Sequence, residues 1–200
     1  MPADVTAHAA DTFETPDAAL ARAWSVLDSV ADPEIPVVSI RELGILRDLR
    51  RASDGALEVV ITPTYTGCPA MAQIAEDIGR ALDGAALAPY RIQTALAPAW
   101  TTDWISDAAR AKLLAYGIAP PSGRCAASGA APQSGAPAIG KTVRFVARAG
   151  AQRSVPSASP ACPRCGSPHT ERLAQFGSTA CKALYRCLDC REPFDYFKPY

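Results

Sequence analysis

The sequence predicts an α+β protein that consists of a small α-β-β-α-β-α domain, a linker and a C-terminal zinc β-ribbon. Three observations support this fold class. Helical and strand-like apolar patterns alternate over residues 15–118. Residues 119–140 are rich in Pro, Gly, Ser and Ala, a composition that buries too little apolar surface to fold. Residues 141–200 contain two Cys-x-x-Cys pairs, and residues 1–14 show no periodicity, so we expect them to be disordered.

The first helix is expected to begin at Thr15-Pro16-Asp17. This tripeptide offers a capping hydroxyl, a Pro at the first helical position and an early acidic residue. Apolar residues then recur at helical spacing and predict the buried stripe: Leu20, Trp24, Leu27 and Val30 or Ala31. Pro33 and Pro36 end the helix, because each removes a backbone donor and disfavours helix in the residue before it.

A β-hairpin and a third strand follow from the next apolar segments. Residues 45–49 and 57–61 are β-prone, and Ser53-Asp54-Gly55 between them is typical of a turn. Residues 91–96 alternate weakly between polar and apolar side chains and predict the third strand. A further strand is expected at residues 143–147, before the cysteine-rich segment.

Two more helices complete the first domain. After a loop at residues 62–67, Pro69 opens a helix whose apolar stripe continues to Leu82. Ser106 caps the last helix, and Gly117 lies where glycine usually ends one.

The charge of the chain excludes partners that bind through bulk electrostatics. Twenty Lys and Arg residues balance twenty Asp and Glu residues, so nucleic acid and anionic membranes are not expected partners. No apolar run approaches the roughly 20 residues that span a bilayer. The N-terminus lacks the basic and apolar regions of a secretory signal, so we expect a cytoplasmic protein.

Four of the seven cysteines form two pairs, Cys162 with Cys165 and Cys187 with Cys190. Two such turns, 21 residues apart, can supply the four tetrahedral thiolates of a structural zinc site. Metal binding would then provide the folding energy that so small a module lacks. Iron or an iron-sulfur cluster is the alternative occupant, because both also accept four thiolates.

The remaining features near the ribbon leave alternatives open. Cys181 is either a small buried hydrophobe or a functional thiol that joins the metal ligands. His169 is expected at the surface, and Cys125 lies in the linker with no assigned role. The aromatic residues within 193–198 either cover the metal site as a closing strand or form a docking surface.

Cys68 is isolated from the other cysteines and directly precedes Pro69. Free backbone N–H groups and the helix dipole at such a position lower a thiol pKa, so Cys68 is a candidate thiolate. The alternative is a cysteine that simply packs beneath the helix. The same loop carries the hydroxyls of Thr62, Thr64 and Thr66. Asp32 and Glu34 lie in a turn that could face the same end of the sheet.

Cysteine-based catalysis is poorly supported by the sequence. The two histidines, His8 and His169, lie outside the first domain, so no general base accompanies Cys68. One thiolate among hydroxyl groups suits transient binding of iron or an iron-sulfur cluster better than hydrolysis. We therefore assign no catalytic residue and expect no independent catalysis.

Several motifs resemble known families. Residues 32–37 (DPEIPV), 43–45 (LGI) and 62–70 (TPTYTGCPA) resemble the small domain of iron-sulfur assembly factors of the Suf-associated and cytosolic-targeting type. Residues 176–187 (FGSTACKALYRC) and 193–198 (PFDYFK) resemble the tail of the D-subunit family of bacterial phenylacetyl-CoA epoxidase systems, which act in aerobic phenylacetate degradation.

The second resemblance implies a function. In these systems a di-iron oxygenase subunit epoxidises the ring and receives electrons from a reductase with a flavin and an iron-sulfur cluster. The resemblance implies an accessory subunit or maturation factor that aids assembly of iron-sulfur or iron cofactors, with the oxygenase and reductase subunits as partners. The alternative is a structural adaptor that docks those subunits through the zinc ribbon, and either protein could also self-associate.

The resemblance also implies roles for individual residues. Cys68 would be the assembly-domain thiol. From the positions of the loop and the turn, we add Thr66 and Glu34 to it as candidates for a transient iron-sulfur or iron site. The ribbon ligands would be Cys162, Cys165, Cys187 and Cys190. Cys181 falls within the tail motif, which favours a functional thiol over a packing residue.

Overall fold

The structure is a computed structural model that describes residues 16–121 and 159–200. The expectations for residues 1–14, for most of the linker with Cys125, and for a strand at residues 143–147 lie outside the described residues.

The described residues form three α-helices and seven strands, so the predicted α+β class is confirmed. The helices are α1 (Pro16–Leu27), α2 (Ala70–Gly84) and α3 (Asp107–Tyr116). The strands are β1 (Leu46–Arg51), β2 (Leu57–Ile61), β3 (Tyr90–Thr94), β4 (Ile118–Ala119), β5 (Thr170–Ala174), β6 (Lys182–Cys187) and β7 (Pro193–Phe197). A short 3-10 helix spans Thr102–Trp104. The predicted α-β-β-α-β-α order is present as α1-β1-β2-α2-β3-α3.

The first sheet has the order β1-β2-β3. Strands β1 and β2 form the predicted antiparallel hairpin, and β3 runs parallel to β2 after the chain crosses over through α2. The buried stripe of α2 lies over this sheet and consists of Ala70, Ile74, Ile78 and Leu82. It shares one core with Leu27 of α1 and Val59 of β2. Ala70 in this stripe holds the start of α2, and with it the loop at residues 62–69, against the core.

The turn after α1 is held by the side chain of Asp32. Helix α1 ends at Leu27, although Val30 beyond it is still buried. The Oδ1 atom of Asp32 accepts hydrogen bonds from the backbone N–H groups of Glu34 at 2.9 Å and Ile35 at 2.8 Å. This local cap reverses the chain and fixes the position of the Glu34 backbone.

Helix α3 begins and ends as the sequence predicts. The Ser106 hydroxyl accepts a hydrogen bond from the Ala109 N–H at 3.1 Å, and Gly117 adopts the left-handed conformation at φ 95°. Directly after Gly117 the chain forms the short strand β4, which sequence analysis did not predict. Two residues are too few to show the alternating pattern of a strand. Only the pairing of β4 with β7 identifies this segment as a strand.

The second sheet joins the ribbon to the first domain. Its order is β4-β7-β6-β5, and β4 pairs in parallel with β7 through Ile118 with Asp195 and Ala119 with Tyr196. At the end of β7, Phe197 lies in the core of the first domain, with its ring centroid 5.9 Å from that of Trp100. The ribbon is thus packed against the first domain.

None of the helices in residues 16–121 and 159–200 is both long enough and apolar enough to span a membrane.

Gly44 provides a test of the packing next to the 3-10 helix. Its φ is +71°, and an added Cβ would lie 2.6 Å from the Cβ of Trp104 and 3.0 Å from its carbonyl oxygen. We expect Gly44→Ala to lower the free energy of unfolding by about 3 kcal/mol, because backbone strain and overpacking add. Gly55→Ala is the matched control, since Gly55 has φ +86° with open space around it, and should cost about 1 kcal/mol. Equal losses in urea unfolding of the two variants would contradict this packing.

Candidate functional site

The four paired cysteines meet at one point in the ribbon. The Sγ atoms of Cys162, Cys165, Cys187 and Cys190 all lie within 4.8 Å of one another. Cys162 and Cys190 are separated by 3.7 Å between sulfurs, and Cys165 and Cys187 by 3.6 Å. A tetrahedral ion with Zn–S bonds of about 2.3 Å holds its sulfurs about 3.8 Å apart. Two sulfur pairs therefore match the spacing of a tetrahedral zinc site, and all four sulfurs lie close enough together to bind one ion.

Backbone hydrogen bonds shape both cysteine turns. In the first turn the Gly166 N–H donates to the Cys162 carbonyl at 2.8 Å. In the second turn the Cys190 N–H points at the Cys187 sulfur at 3.5 Å. An N–H group directed at sulfur stabilises the thiolate, which is the form that binds metal.

Alternating aromatic residues of β7 cover the buried side of the cysteine site. Phe194 and Tyr196 share a small apolar cluster with the buried Cys162 and Cys187. The neighbouring Tyr185 packs edge-on against Tyr196 with ring centroids 5.5 Å apart. Phe194 and Tyr196 therefore have the covering role that the sequence offered as one of two interpretations.

The pKa values of Cys187 and Cys190 are shifted in opposite directions. Burial opposes ionisation of Cys187, yet the N–H groups of Cys190 and Asp189 donate to its sulfur and lower its pKa to about 6. The Glu192 N–H favours the Cys190 thiolate, but burial and the neighbouring sulfurs outweigh it and raise the pKa of Cys190 to about 12. A bound cation would remove this conflict, because it favours the thiolate form of all four.

Cys68 lies directly before α2, as predicted, and is half-buried. The prediction that the helix start lowers its pKa is wrong. Burial raises the pKa of the Cys68 thiol, and the carboxylates of Glu34 and Asp32 raise it further. Hydrogen bonds from the Ala70 N–H and the Thr64 hydroxyl act in the opposite direction but are weaker than burial. Cys68 is therefore a protonated thiol at neutral pH in the absence of a cation.

The Glu34 carboxylate acts on the Cys68 thiol, and the hydroxyl that hydrogen-bonds to this thiol is that of Thr64 rather than Thr66. The half-buried Glu34 has a raised pKa because of burial and the nearby Asp32 carboxylate. The sequence predicts that Thr64 lines the loop, but Thr66 is the threonine that it predicts for the candidate site. Thr66 is exposed at the edge of a neighbouring cavity of about 270 Å³, which Tyr200 from the C-terminus also lines. The loop has a threonine at every second position, so the sequence alone does not show whether Thr64 or Thr66 faces Cys68.

Cys181 is not part of the four-cysteine group. Its side chain is buried in the core cluster of the first domain, against which Cys68 also packs. Its Sγ atom lies 2.9 Å from the Thr179 hydroxyl. Burial raises the pKa of Cys181, as do the charges of Glu34 and Cys68. No local pattern in the sequence could reveal this position, because it depends on how the ribbon packs onto the first domain.

Comparison with known proteins identifies the family. A protein of Escherichia coli (strain K12), described as the putative D subunit of 1,2-phenylacetyl-CoA epoxidase, is 41% identical over 175 residues. The matched region covers 88% of this chain and 90% of that protein. The chain belongs to the D-subunit family of phenylacetyl-CoA epoxidases.

Two family models divide the chain as its motifs do. Residues 20–91 match an iron-sulfur cluster assembly protein model, and residues 147–198 match the PaaD zinc beta ribbon domain. An "Fe-S protein maturation auxiliary factor" of Porphyromonas gingivalis (strain ATCC BAA-308 / W83) is 32% identical over 89 residues. That match covers 44% of this chain and 84% of the relative. Both resemblances noted in the sequence are thus confirmed for this member of the D-subunit family.

Two solved structures are similar to about half of this D-subunit family member. A domain of unknown function, DUF59, from Bacillus anthracis is 25% identical, with a TM-score of 0.45, over 48% of this chain and 92% of that one. A conserved hypothetical protein from Thermotoga maritima is 23% identical, with a TM-score of 0.39, over 46% of this chain and 89% of that one.

Proposed function

We propose that this chain is a maturation factor of a phenylacetyl-CoA epoxidase system and delivers iron-sulfur clusters or iron to its oxygenase or reductase subunits. Family membership and the assembly model over residues 20–91 support this accessory role. The observation that carries the proposal is the environment of Cys68. A half-buried thiol lies at the start of α2, and both the Thr64 hydroxyl and the Glu34 carboxylate interact with it.

This environment suits cargo that must later be released. The raised pKa keeps Cys68 protonated, so the thiol gives up its proton to solvent only when iron binds. The Glu34 carboxylate lies close enough to raise that pKa, and the same charge favours a bound cation. Thr66, at the exposed edge of the neighbouring cavity, would contact the cargo from the solvent side.

The ribbon has a separate role in this proposal. Its four sulfurs hold a resident zinc ion that folds the C-terminal module and carries no reaction step. Their spacing supports this, because the Cys162–Cys190 and Cys165–Cys187 sulfur pairs are both within about 0.2 Å of a tetrahedral zinc site. The folded ribbon contacts the first domain through its strand β7, which pairs with β4, and through Tyr200, which packs on Trp100.

A test in cells measures delivery directly. Cells that produce Cys68→Ser in place of the natural chain should yield a reductase subunit whose iron-sulfur content equals that of cells lacking the chain. The lost thiolate removes the cargo ligand, while serine preserves the size of the side chain. Cys125→Ser is the matched control, because it also removes one thiol but from a position with no assigned role. Wild-type cofactor content in Cys68→Ser cells would contradict the proposed function.

An adaptor is the second candidate, and exposed apolar groups on the ribbon favour it. Phe176 is 62% exposed and Leu173 is 48% exposed, which gives the ribbon a surface for protein contacts. If the chain is only an adaptor, Cys68→Ser leaves cofactor content unchanged. Phe176→Ser would then separate the oxygenase from the reductase during purification.

A further inference from the structure

The ribbon inserts a second thiol into the surroundings of Cys68. Cys181 immediately precedes β6 and is only 5% exposed. It belongs to the buried core cluster of the first domain, and Cys68 packs against the same cluster. The two thiols are also close enough to interact electrostatically, although 112 residues separate them in the sequence.

Three hydrogen bonds hold the turn that carries Cys181. The Lys198 N–H donates to the Cys181 carbonyl at 3.0 Å, and the Gly177 N–H donates to the Lys182 carbonyl at 2.8 Å. The Tyr200 hydroxyl donates to the Ala180 carbonyl at 3.2 Å. The backbone of this turn is thus held by residues 198 and 200, while the Cys181 side chain can still change its rotamer.

Charged groups from both parts of the chain converge on this turn. Glu34 interacts with the Thr179 hydroxyl, which lies 2.9 Å from the Cys181 sulfur. Lys182 is only 4% exposed and lies 3.6 Å from an Asp195 carboxylate oxygen. Its ammonium group also acts on the Glu34 carboxylate. A buried ammonium group here offsets part of the negative charge that two thiolates and a carboxylate would create.

We propose that Cys68, Cys181 and Glu34 are the donors of one iron site that spans the junction between the first domain and the ribbon. This proposal rests on the proposed function and specifies its cargo site. Two thiolates and a carboxylate are suitable donors for ferrous iron. On binding, each thiol forms an Fe–S bond and releases its proton to solvent, with no change of oxidation state.

The junction site is more open than the zinc site. Within residues 16–121 and 159–200, the four ribbon cysteines are the one group of three or more such donors whose ligand atoms all lie within 4.8 Å of one another. The junction donors must move closer together around an ion. Such a site binds more weakly than a preformed one, because organising the donors costs free energy. Weak binding is what a delivery protein needs.

Ferrous iron alone is the probe in the first experiment. The zinc-loaded full chain is dialysed anaerobically against ferrous salt, and bound iron and zinc are counted. Cys68→Ser and Cys181→Ser should each raise the Kd for iron by at least about tenfold. The double variant should be little weaker than either single variant, because each loss disrupts the same site. Zinc content should stay at that of the wild-type chain, which shows an intact ribbon.

Two outcomes separate this inference from the proposed function. Wild-type iron affinity in Cys181→Ser, together with weakened binding in Cys68→Ser, would overturn the junction site and leave Cys68 as the delivery thiol. Normal cofactor delivery in Cys68→Ser cells would instead overturn the proposed function.

X-ray absorption at the iron edge tests the wild-type chain without any variant. It reports only the neighbours of iron, so zinc in the ribbon does not interfere. The junction site predicts two sulfur neighbours and additional oxygen neighbours. One sulfur would indicate Cys68 alone, and four would indicate iron in the ribbon; either result would overturn the inference.

Discussion

Replacement of Cys187 by serine is expected to abolish zinc binding and to unfold the ribbon. The Cys187 sulfur is buried, lies 3.6 Å from that of Cys165 and accepts the N–H of Cys190 at 3.5 Å. Structural zinc contributes about 10–16 kcal/mol of binding free energy in small modules, more than such a core can replace. Zinc content should fall from about one ion per chain to near zero. Elemental analysis and the dispersion of the amide NMR signals measure both effects.

Cys181→Ser is the matched control for this loss. It removes a buried thiol from the same module, but one that lies outside the four-sulfur group. The control should retain its zinc and the ribbon signals. The assignment of the ligands is contradicted if Cys187→Ser keeps its zinc or if both variants lose it equally.

Truncation of Phe197 is expected to destabilise the first domain, although Phe197 belongs to the ribbon strand β7. The side chain is 1% exposed and packs on Trp100 within the core of the first domain. Phe197→Ala should lower the free energy of unfolding by about 3–5 kcal/mol, because a buried ring is replaced by a cavity. Urea unfolding followed by tryptophan fluorescence measures this loss on the full zinc-loaded chain.

Phe176→Ala provides the comparison for Phe197→Ala. Phe176 is also an aromatic residue of the ribbon, but it is mostly exposed, so its truncation should change stability by no more than about 0.5 kcal/mol. Similar losses in the two variants would mean that the ribbon does not complete the first domain.

Local signals explain which parts of the fold the sequence could predict. The hairpin between β1 and β2 follows from a turn flanked by β-prone residues. The caps of α3 follow from Ser106 and Gly117, each of which acts within a few residues of its own position. The clustering of the four ribbon cysteines could also be predicted, because the Cys-x-x-Cys spacing already defines the turn that presents the sulfurs.

Long-range packing explains the rest. The raised pKa of Cys68 results from burial and from carboxylates in the turn after α1, not from the adjacent helix start. Cys181 lies in the core of the first domain because the ribbon packs onto that domain, where β7 pairs with β4. The resemblance to known families indicated Cys68 as a residue of interest, but it could not show which side chains surround it.

Transfer of labelled cargo tests the central claim most directly. The zinc-loaded chain is given an iron-sulfur cluster with radioactive iron under anaerobic conditions and mixed with reductase that lacks its cluster. We expect the label to move to the reductase and to restore its electron transfer with the wild-type chain and with Cys125→Ser, but not with Cys68→Ser. Equal transfer with and without the Cys68 thiol would contradict the account.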